Sequence, residues 1–234
     1  MFTKSAEFYD LIYSFKDYDS EAAHLHNIVQ RHKRNSGNRL LDAACGTGQH
    51  LRYLQKHYAV EGFDLDEELL AIAHERLPNV LFHQADMTNF NLGKEYDVIT
   101  CLFSAIGYVE TEDRLRQTAK AFRKHLVKGG MLVVEGWFTP DEFQPDGIRA
   151  LFIDEPNVKI ARMNIGKVEG TVSFLDFHYT VGTPKEIVTF TETHRLGLFT
   201  HEQSRAAFES AGFKVIHDPK GFSGRSLFIG EVVD

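Results

Sequence analysis

Cysteine is scarce in this 234-residue chain: only Cys45 and Cys101 occur, both in apolar strand-end contexts. They read as reduced packing residues, which excludes a disulfide framework or a cysteine metal pair. No apolar run approaches the length of a bilayer span, and Met1-Phe2-Thr3-Lys4-Ser5-Ala6-Glu7 lacks the apolar stretch of a secretory signal. A cytoplasmic protein without membrane attachment is therefore expected. A basic excess is missing too. The 26 Lys and Arg against 33 Asp and Glu leave a net charge of −7, which argues against a nucleic-acid surface. Arg31-His32-Lys33-Arg34 is the only basic cluster, and it reads as a solvated helix end favoured by the helix dipole. Twelve histidines are scattered without zinc-ligand spacing, so no metal is expected. Repeats and low-complexity tracts are absent.

With 43% hydrophobic residues the chain can bury one full α/β core and carry a modest insertion. The most informative stretch is Leu40-Leu41-Asp42-Ala43-Ala44-Cys45-Gly46-Thr47-Gly48-Gln49-His50-Leu51, an apolar run, a Gly-x-Gly turn and a helical pattern. Gly46 and Gly48 can take positive φ and let backbone pass close to a ligand, which would also face the N–H groups opening the next helix. By itself such a turn is equally a plain strand-to-helix connection. Two carboxylates sharpen the reading. Val60-Glu61-Gly62-Phe63-Asp64 ends a second strand at the spacing where α/β folds hold ribose hydroxyls, and Val80-Leu81-Phe82-His83-Gln84-Ala85-Asp86-Met87 ends a third. Either acid alone can be a helix cap. A nicotinamide cofactor would want a third glycine where Leu51 stands and would not require Asp86. S-adenosylmethionine would use both acids, one for its ribose hydroxyls and one for its adenine amine, with backbone groups at its methionine end.

Residues 5–34 read as two helices, the second opened by Asp19 or Ser20 and carrying Ala22, Ala23, Leu25, Ile28 and Val29. From residue 40 strands and helices alternate, through a strand at 96–103, a helix at 111–127 stopped by Gly129-Gly130, and a strand at 131–137. That order predicts a parallel sheet with helices on both faces and ligands at its carboxyl ends, where Gly46, Asp64, Asp86 and Ser104 fall. From Val158 to Phe199 apolar and polar residues alternate, with turns at Gly166, Gly170 and Gly182-Thr183-Pro184, which predicts an inserted antiparallel sheet of about three strands. Thr200 and Gln203 form a capping box for a helix closing at Gly212, and strands near 213–217 and 227–233 flank the loop at 220–225. The expected organisation is one domain, 1–234. It comprises a helical cover (1–36), a cofactor-binding core (37–145), the inserted sheet roofing the site (146–199) and a C-terminal completion of the core sheet (200–234).

Asp42-x-x-Cys45-Gly46-Thr47-Gly48 resembles the first motif of the class I S-adenosylmethionine-dependent methyltransferases, whose fold is a Rossmann-like α/β sheet. Further segments resemble the N-methyltransferases that dimethylate nucleotide-linked amino sugars such as desosamine and mycaminose. They are Tyr9-Asp10-Leu11, Lys16-Asp17-Tyr18, Asp86-Met87 with Phe90, and Val98 to Gly107. Val133-Val134-Glu135-x-Trp137, Thr139-Pro140 with Phe143, His194-Arg195, Leu198-Phe199 and Ser223-Gly224-Arg225-x-Leu227-Phe228 extend the likeness over nearly the whole chain. The resemblance implies S-adenosylmethionine as cofactor. It is expected to lie against Tyr9, Tyr18, Ala44, Gly46, Gly48, His50, Asp64, Leu65, Asp86, Met87 and Leu102.

Methyl transfer from a sulfonium mainly requires alignment of two reactants and exclusion of water. Its nucleophile must be an uncharged amine, which a desolvating pocket favours. Candidates for handling the amine are Tyr108, His178 and Tyr13. Some relatives carry a histidine where this chain has Tyr108. A phenol with an ordinary pKa of about 10 is a hydrogen-bond partner before it is a base, so Tyr108 is assigned to positioning and the base stays open, with water among the options. A nucleotide-sugar brings a pyrophosphate, for which Arg162, Arg195 and above all Arg225 are the expected clamps. Ser104, Trp137, Tyr108 and His178 are the other expected substrate contacts, Trp137 by stacking. The alternatives are a small-amine or O-methyltransferase, a non-catalytic S-adenosylmethionine-binding protein and, more remotely, a dehydrogenase. Either a monomer or a homodimer is compatible with the chain.

Overall fold

The computed structural model describes residues 5–145, 147–222 and 224–233. Ser223, part of the resembling loop, and Asp146, the expected start of the insertion, lie outside the described residues.

The N-terminal cover is a 3-10 turn at Ala6–Phe8, a single helical turn α1 (Tyr9–Ile12) and a longer α2 (Tyr18–His32). Asp17, not Asp19 or Ser20, caps α2 by accepting the Ser20 N–H at 3.0 Å. The alternating core follows as β1 (Arg39–Ala43), α3 (Gln49–Leu54), β2 (Ala59–Asp64), α4 (Glu67–Arg76), β3 (Leu81–Gln84) and β4 (Tyr96–Cys101). It continues with a 3-10 helix at Ala105–Val109, α5 (Glu112–Lys124) and β5 (Leu126–Glu135). After the insertion come α6 (His201–Ser210), β10 (Phe213–Asp218) and β11 (Leu227–Val232). The large sheet runs β10-β11-β5-β4-β1-β2-β3, with β11 antiparallel to both its neighbours. Thus β1, paired on either side with β2 and β4, marks the point where the strand order reverses, and ligands gather there.

Strand alternation divides the core. Leu40 and Val98 are register partners that face α2, α3 and α4 through Leu25, Val29, Leu51 and Ala73. Leu41 and Ile99, one residue on, face α5 and α6 through Leu115, Phe122, Ala207 and Phe208. Full burial of a side chain the size of Phe122 or Phe208 contributes about 1.5–3 kcal/mol, so both helices are held mainly by their apolar stripes.

Helix α5 stops at Lys124, and Gly129-Gly130 lie inside β5 instead of ending the helix. The register jumps from Tyr96↔Leu126 to Val98↔Met131, so Gly129, at φ +69°, sits in a bulge that the sequence pattern presents as a helix terminus.

The inserted sheet has four strands, not three: β6 (Ile148–Glu155), β7 (Val158–Glu169), β8 (Val172–Gly182) and β9 (Ile187–Gly197), all antiparallel. The unanticipated β6 is an edge strand in which only Leu151 and Ile153 are half-buried, and its run Ala150-Leu151-Phe152-Ile153 is apolar throughout, so the sequence lacks the alternation that marks the others. On the inner face Ile160, Phe177, Tyr179 and Val181 pack on Ile12, which places this sheet over the carboxyl end of the first.

Candidate active site

A cavity of about 980 Å³ opens between the two sheets. Cavities of this size hold large ligands. Its floor includes Ala44, Gly46, Asp64, Leu65, Asp86, Met87 and Leu102; Tyr9 and Tyr13 close one side; Trp137, Arg162 and Arg225 line the far part. All twelve are candidates named from the sequence, and Tyr108 joins them.

The floor is shaped by backbone conformation. Ala44, Gly46 and Gly48 are left-handed at φ 56°, 54° and 75°. A Cβ built on Gly46 would meet nothing within 4 Å, so this turn is an open cradle for a ligand. Asp64 closes it from the end of β2: Oδ2 accepts the Gly46 N–H at 2.8 Å and Oδ1 the Asp66 N–H at 3.0 Å. Burial pushes the Asp64 carboxyl above its usual range, and those N–H bonds oppose the shift. Asp86 behaves oppositely. Its partial burial is outweighed by hydrogen bonds from the Thr88 N–H and hydroxyl and by the Arg114 guanidinium 3.3 Å away, which hold it below the carboxylate range. Two carboxylates beside a Cβ-free turn are a donor set suited to ribose hydroxyls and an adenine amine, so the residues present fit an adenosine cofactor.

Cations and aromatics line the far part. The Arg225 guanidinium lies 5.1 Å from the Trp137 ring and 5.7 Å from Phe103, and its Nη1 donates to Ser104 Oγ at 3.2 Å. Ser104 in turn donates to the Gly136 carbonyl at 2.7 Å. Phe103 and Ser104 are both left-handed, at φ 52° and 61°. Such strain needs an anchor, and the buried Glu135 provides one by accepting the Phe103 N–H at 2.7 Å. Arg162 stacks over Phe177 at 4.8 Å and Tyr13 at 5.4 Å.

Other expected residues are elsewhere. His178 is exposed on the outer face of β8, because Phe177 and Tyr179 point inward and successive residues of a strand alternate. Arg195 is outward on β9 for the same reason, where it pairs with Glu110 at 2.9 Å. At Gly48 a Cβ would touch Ala73, Leu77 and Phe82 at 3.4–3.5 Å, so its missing side chain serves the packing of α4. Behind the cavity wall, His50 is hydrogen-bonded to Glu21 at 2.8 Å and meets Tyr18 edge-on at 4.9 Å. Ser104 is likewise buried behind Arg225. Those three support lining residues without lining the cavity themselves.

Sequence reasoning missed Lys16, whose ammonium sits between Glu21 (2.6 Å) and the Phe103 ring (4.2 Å). It also missed His194, which lines the cavity and is 3% exposed. His194 Nδ1 is 2.6 Å from the Tyr108 phenol oxygen, and burial pushes that phenol well above its usual pKa. Lys16 and His194 both fall in the segments of family resemblance, the signal that could have found them. Among the described residues no His, Cys, Asp and Glu group is placed to hold a metal, and no helix is long and apolar enough to cross a membrane.

Comparisons agree with this geometry. Residues 40–130 match a family described as a methyltransferase domain. The dTDP-3-amino-3,6-dideoxy-alpha-D-glucopyranose N,N-dimethyltransferase of Streptomyces fradiae is 39% identical, over 96% of this chain and 89% of its own. The crystal structure of Streptomyces venezuelae DesVI superposes with a TM-score of 0.92 at 35% identity and 99% coverage of both chains. The structure of SAM-bound CalS10, an amino pentose methyltransferase from Micromonospora echinaspora involved in calicheamicin biosynthesis, gives 0.84 at 33% identity, covering 93% and 92%. Sheet order, cradle and matched domain together define a methyltransferase. Within that class the chain belongs to the family of the dTDP-amino-sugar N,N-dimethyltransferases, which sets aside the dehydrogenase alternative.

Proposed function

We propose that this enzyme methylates the amine of a nucleotide-linked amino sugar, using S-adenosylmethionine. The observation that carries the reading is a single cavity joining the two-carboxylate cradle to the Arg225, Trp137 and Arg162 region. Asp64 holds the ribose hydroxyls, Asp86 the adenine amine, and the backbone around Ala44 and Gly46 lies along the cofactor. The cofactor, when bound, supplies a methyl group on a sulfonium already activated for displacement. What remains for the protein is to align the amine, keep it uncharged and exclude water. Tyr13, Tyr108 and the neighbouring rings do this by desolvation, which disfavours an ammonium. Arg225 and Arg162 hold the pyrophosphate, because a guanidinium matches phosphate bidentately. Two buried free thiols fit a reducing compartment, the cytoplasm in this reading.

The test is mass spectrometry of the purified enzyme with S-adenosylmethionine and a panel of dTDP-linked 3-amino and 4-amino sugars, each paired with its unlinked sugar. Methylated product is expected from a linked member alone. Equal turnover of an unlinked amine would instead establish a small-amine methyltransferase.

A further inference from the structure

An amino sugar carries its amine as an ammonium in neutral water, so a proton must leave before each methyl transfer, and twice for a dimethylamine. One residue of a 3-10 helix and two of β9, more than eighty residues further along the chain, converge where that proton would go. Tyr108 stands on the 3-10 helix at Ala105–Val109, which comes close to β9 because Gly107 has no side chain: a Cβ there would lie 3.1 Å from that of Leu196. The approach brings the Tyr108 oxygen 2.6 Å from His194 Nδ1. On the other side of the ring, Nε2 is 3.9 Å from Glu192 Oε2. Glu192 is held in place by Ser5, whose N–H and hydroxyl donate to it at 3.1 and 2.6 Å.

We propose that Tyr108, His194 and Glu192 form the proton path from the acceptor amine, with the phenol touching the amine and His194 acting through it; this rests on the amino-sugar reading above. At 3.9 Å the Glu192 carboxylate acts on Nε2 through its charge, which favours the tautomer with the proton there and leaves the Nδ1 lone pair to accept the phenol O–H. In the transfer an N–H bond of the ammonium breaks and its electron pair remains on nitrogen. The phenol oxygen takes that proton as its own passes to Nδ1. The phenol ends neutral, and the imidazolium is stabilised by the Glu192 carboxylate until it returns the proton to water on product release.

Burial keeps the phenol protonated, which suits a relay and disqualifies a free phenolate base. The other titratable or charged groups facing this couple are Tyr9 and Tyr13 on the cover, Tyr179 on β8, Arg162 on β7 and Asp64 at the end of β2. Arg162 is the cation of this set, and its Nη1 lies 3.4 Å from the Tyr13 hydroxyl, on the far side of the phenol cluster.

Two measurements test the path. In enzyme loaded with S-adenosylhomocysteine and carrying ¹³C-labelled histidine, dTDP-3-amino-3,6-dideoxyglucose should turn the His194 signal into that of an imidazolium. The matching 3-hydroxy sugar should not, and Tyr108→Phe should abolish the response. In turnover, His194→Gln should lower kcat/KM about 10²-fold at pH 7, the size of a general-base contribution, and the deficit should shrink as the pH rises towards the amine's own pKa. Glu192→Gln should show a smaller loss with the same pH trend. If His194→Gln fails to fold, Tyr108→Phe, which keeps the ring, is read by the same profile. A pH-independent loss, or a His194 signal that treats amine and hydroxyl sugars alike, overturns the relay alone. Failure of the wild-type enzyme to bind any nucleotide-linked amino sugar overturns the acceptor reading and the relay with it.

Discussion

Asp64 and Arg225 line one cavity, and each can be tested against its own ligand. Asp64 already accepts two backbone N–H groups, so its oxygens are oriented before any ribose arrives. Asp64→Ala removes charge-assisted hydrogen bonds worth about 1.5–3 kcal/mol each, and S-adenosylhomocysteine affinity should fall at least about tenfold. Unchanged calorimetric affinity in the folded variant would reject the ribose assignment. Arg225 is stacked on aromatic rings and tethered to Ser104, so its guanidinium is pre-placed in a protein of net charge −7 whose long-range field opposes an anionic acceptor. Arg225→Ala should cost about 2–4 kcal/mol in acceptor binding, roughly thirtyfold or more, and leave cofactor affinity nearly unchanged. Titration of both ligands decides it; equal acceptor affinity would make Arg225 a structural residue.

At the scale of elements, β1 carries a carboxylate between the buried apolar Leu41 and Ala43 of the same strand. Asp42 is 2% exposed, accepts a hydrogen bond from Thr100 Oγ1 on β4 at 2.7 Å, and is pushed by burial up to about 6. With a folded pKa above the ordinary 3.8, the native state holds an extra proton between those values. That contribution to stability is complete below about pH 3.8 and is lost as the pH rises through about 6. Asp42→Asn removes the titration and leaves an oxygen for Thr100. Relative to wild type, the variant's free energy of unfolding should therefore be higher at pH 8 than at pH 4 by about 2 kcal/mol. Urea denaturation at both values measures this, and a difference that does not change with pH would show that Asp42 titrates normally.

Over the whole molecule, the N-terminal cover ties the two sheets together. Asp10 accepts the Thr47 hydroxyl at 2.7 Å beside the glycine turn, and Arg76 of α4 bonds both Asp10 and the Thr47 carbonyl. Ser5 bonds Glu192 of β9, and Ile12 enters the small core under the inserted sheet. Ligands at the two ends of the cavity should consequently protect different parts of the chain from hydrogen exchange. S-adenosylhomocysteine should slow exchange in 9–17 and around 44–48, and the nucleotide-sugar should add protection to β7, β8 and β9. Unaltered exchange in 9–17 on cofactor binding would remove the cover from the cofactor site.

Local chemistry determined much of this protein from its sequence. The glycine turn, the acids ending β2 and following β3, and the strand-helix alternation all depend on near neighbours and short periods. The Thr200–Gln203 capping box is the same kind of signal, and both of its hydrogen bonds are made. Direction across a sheet is another matter. The alternation from Ser173 to Val181 fits either face equally, and a shift of one residue exchanges the two sets. Docking of Phe177 and Tyr179 on Ile12 chose the inward set, which turned His178 to solvent. The phase of β9 brought His194 to Tyr108 while sending Arg195 out to Glu110. The exposed edge β6 and the bulge at Gly129 were illegible for a related reason: one carries an unbroken apolar run, Ala150 to Ile153, with no apolar-polar alternation to mark a strand, and the other places beside a helix end the glycine that would ordinarily terminate it. Which side chains share the cavity was decided by packing between segments as distant as Tyr108 and His194, a choice that short-range patterns do not carry.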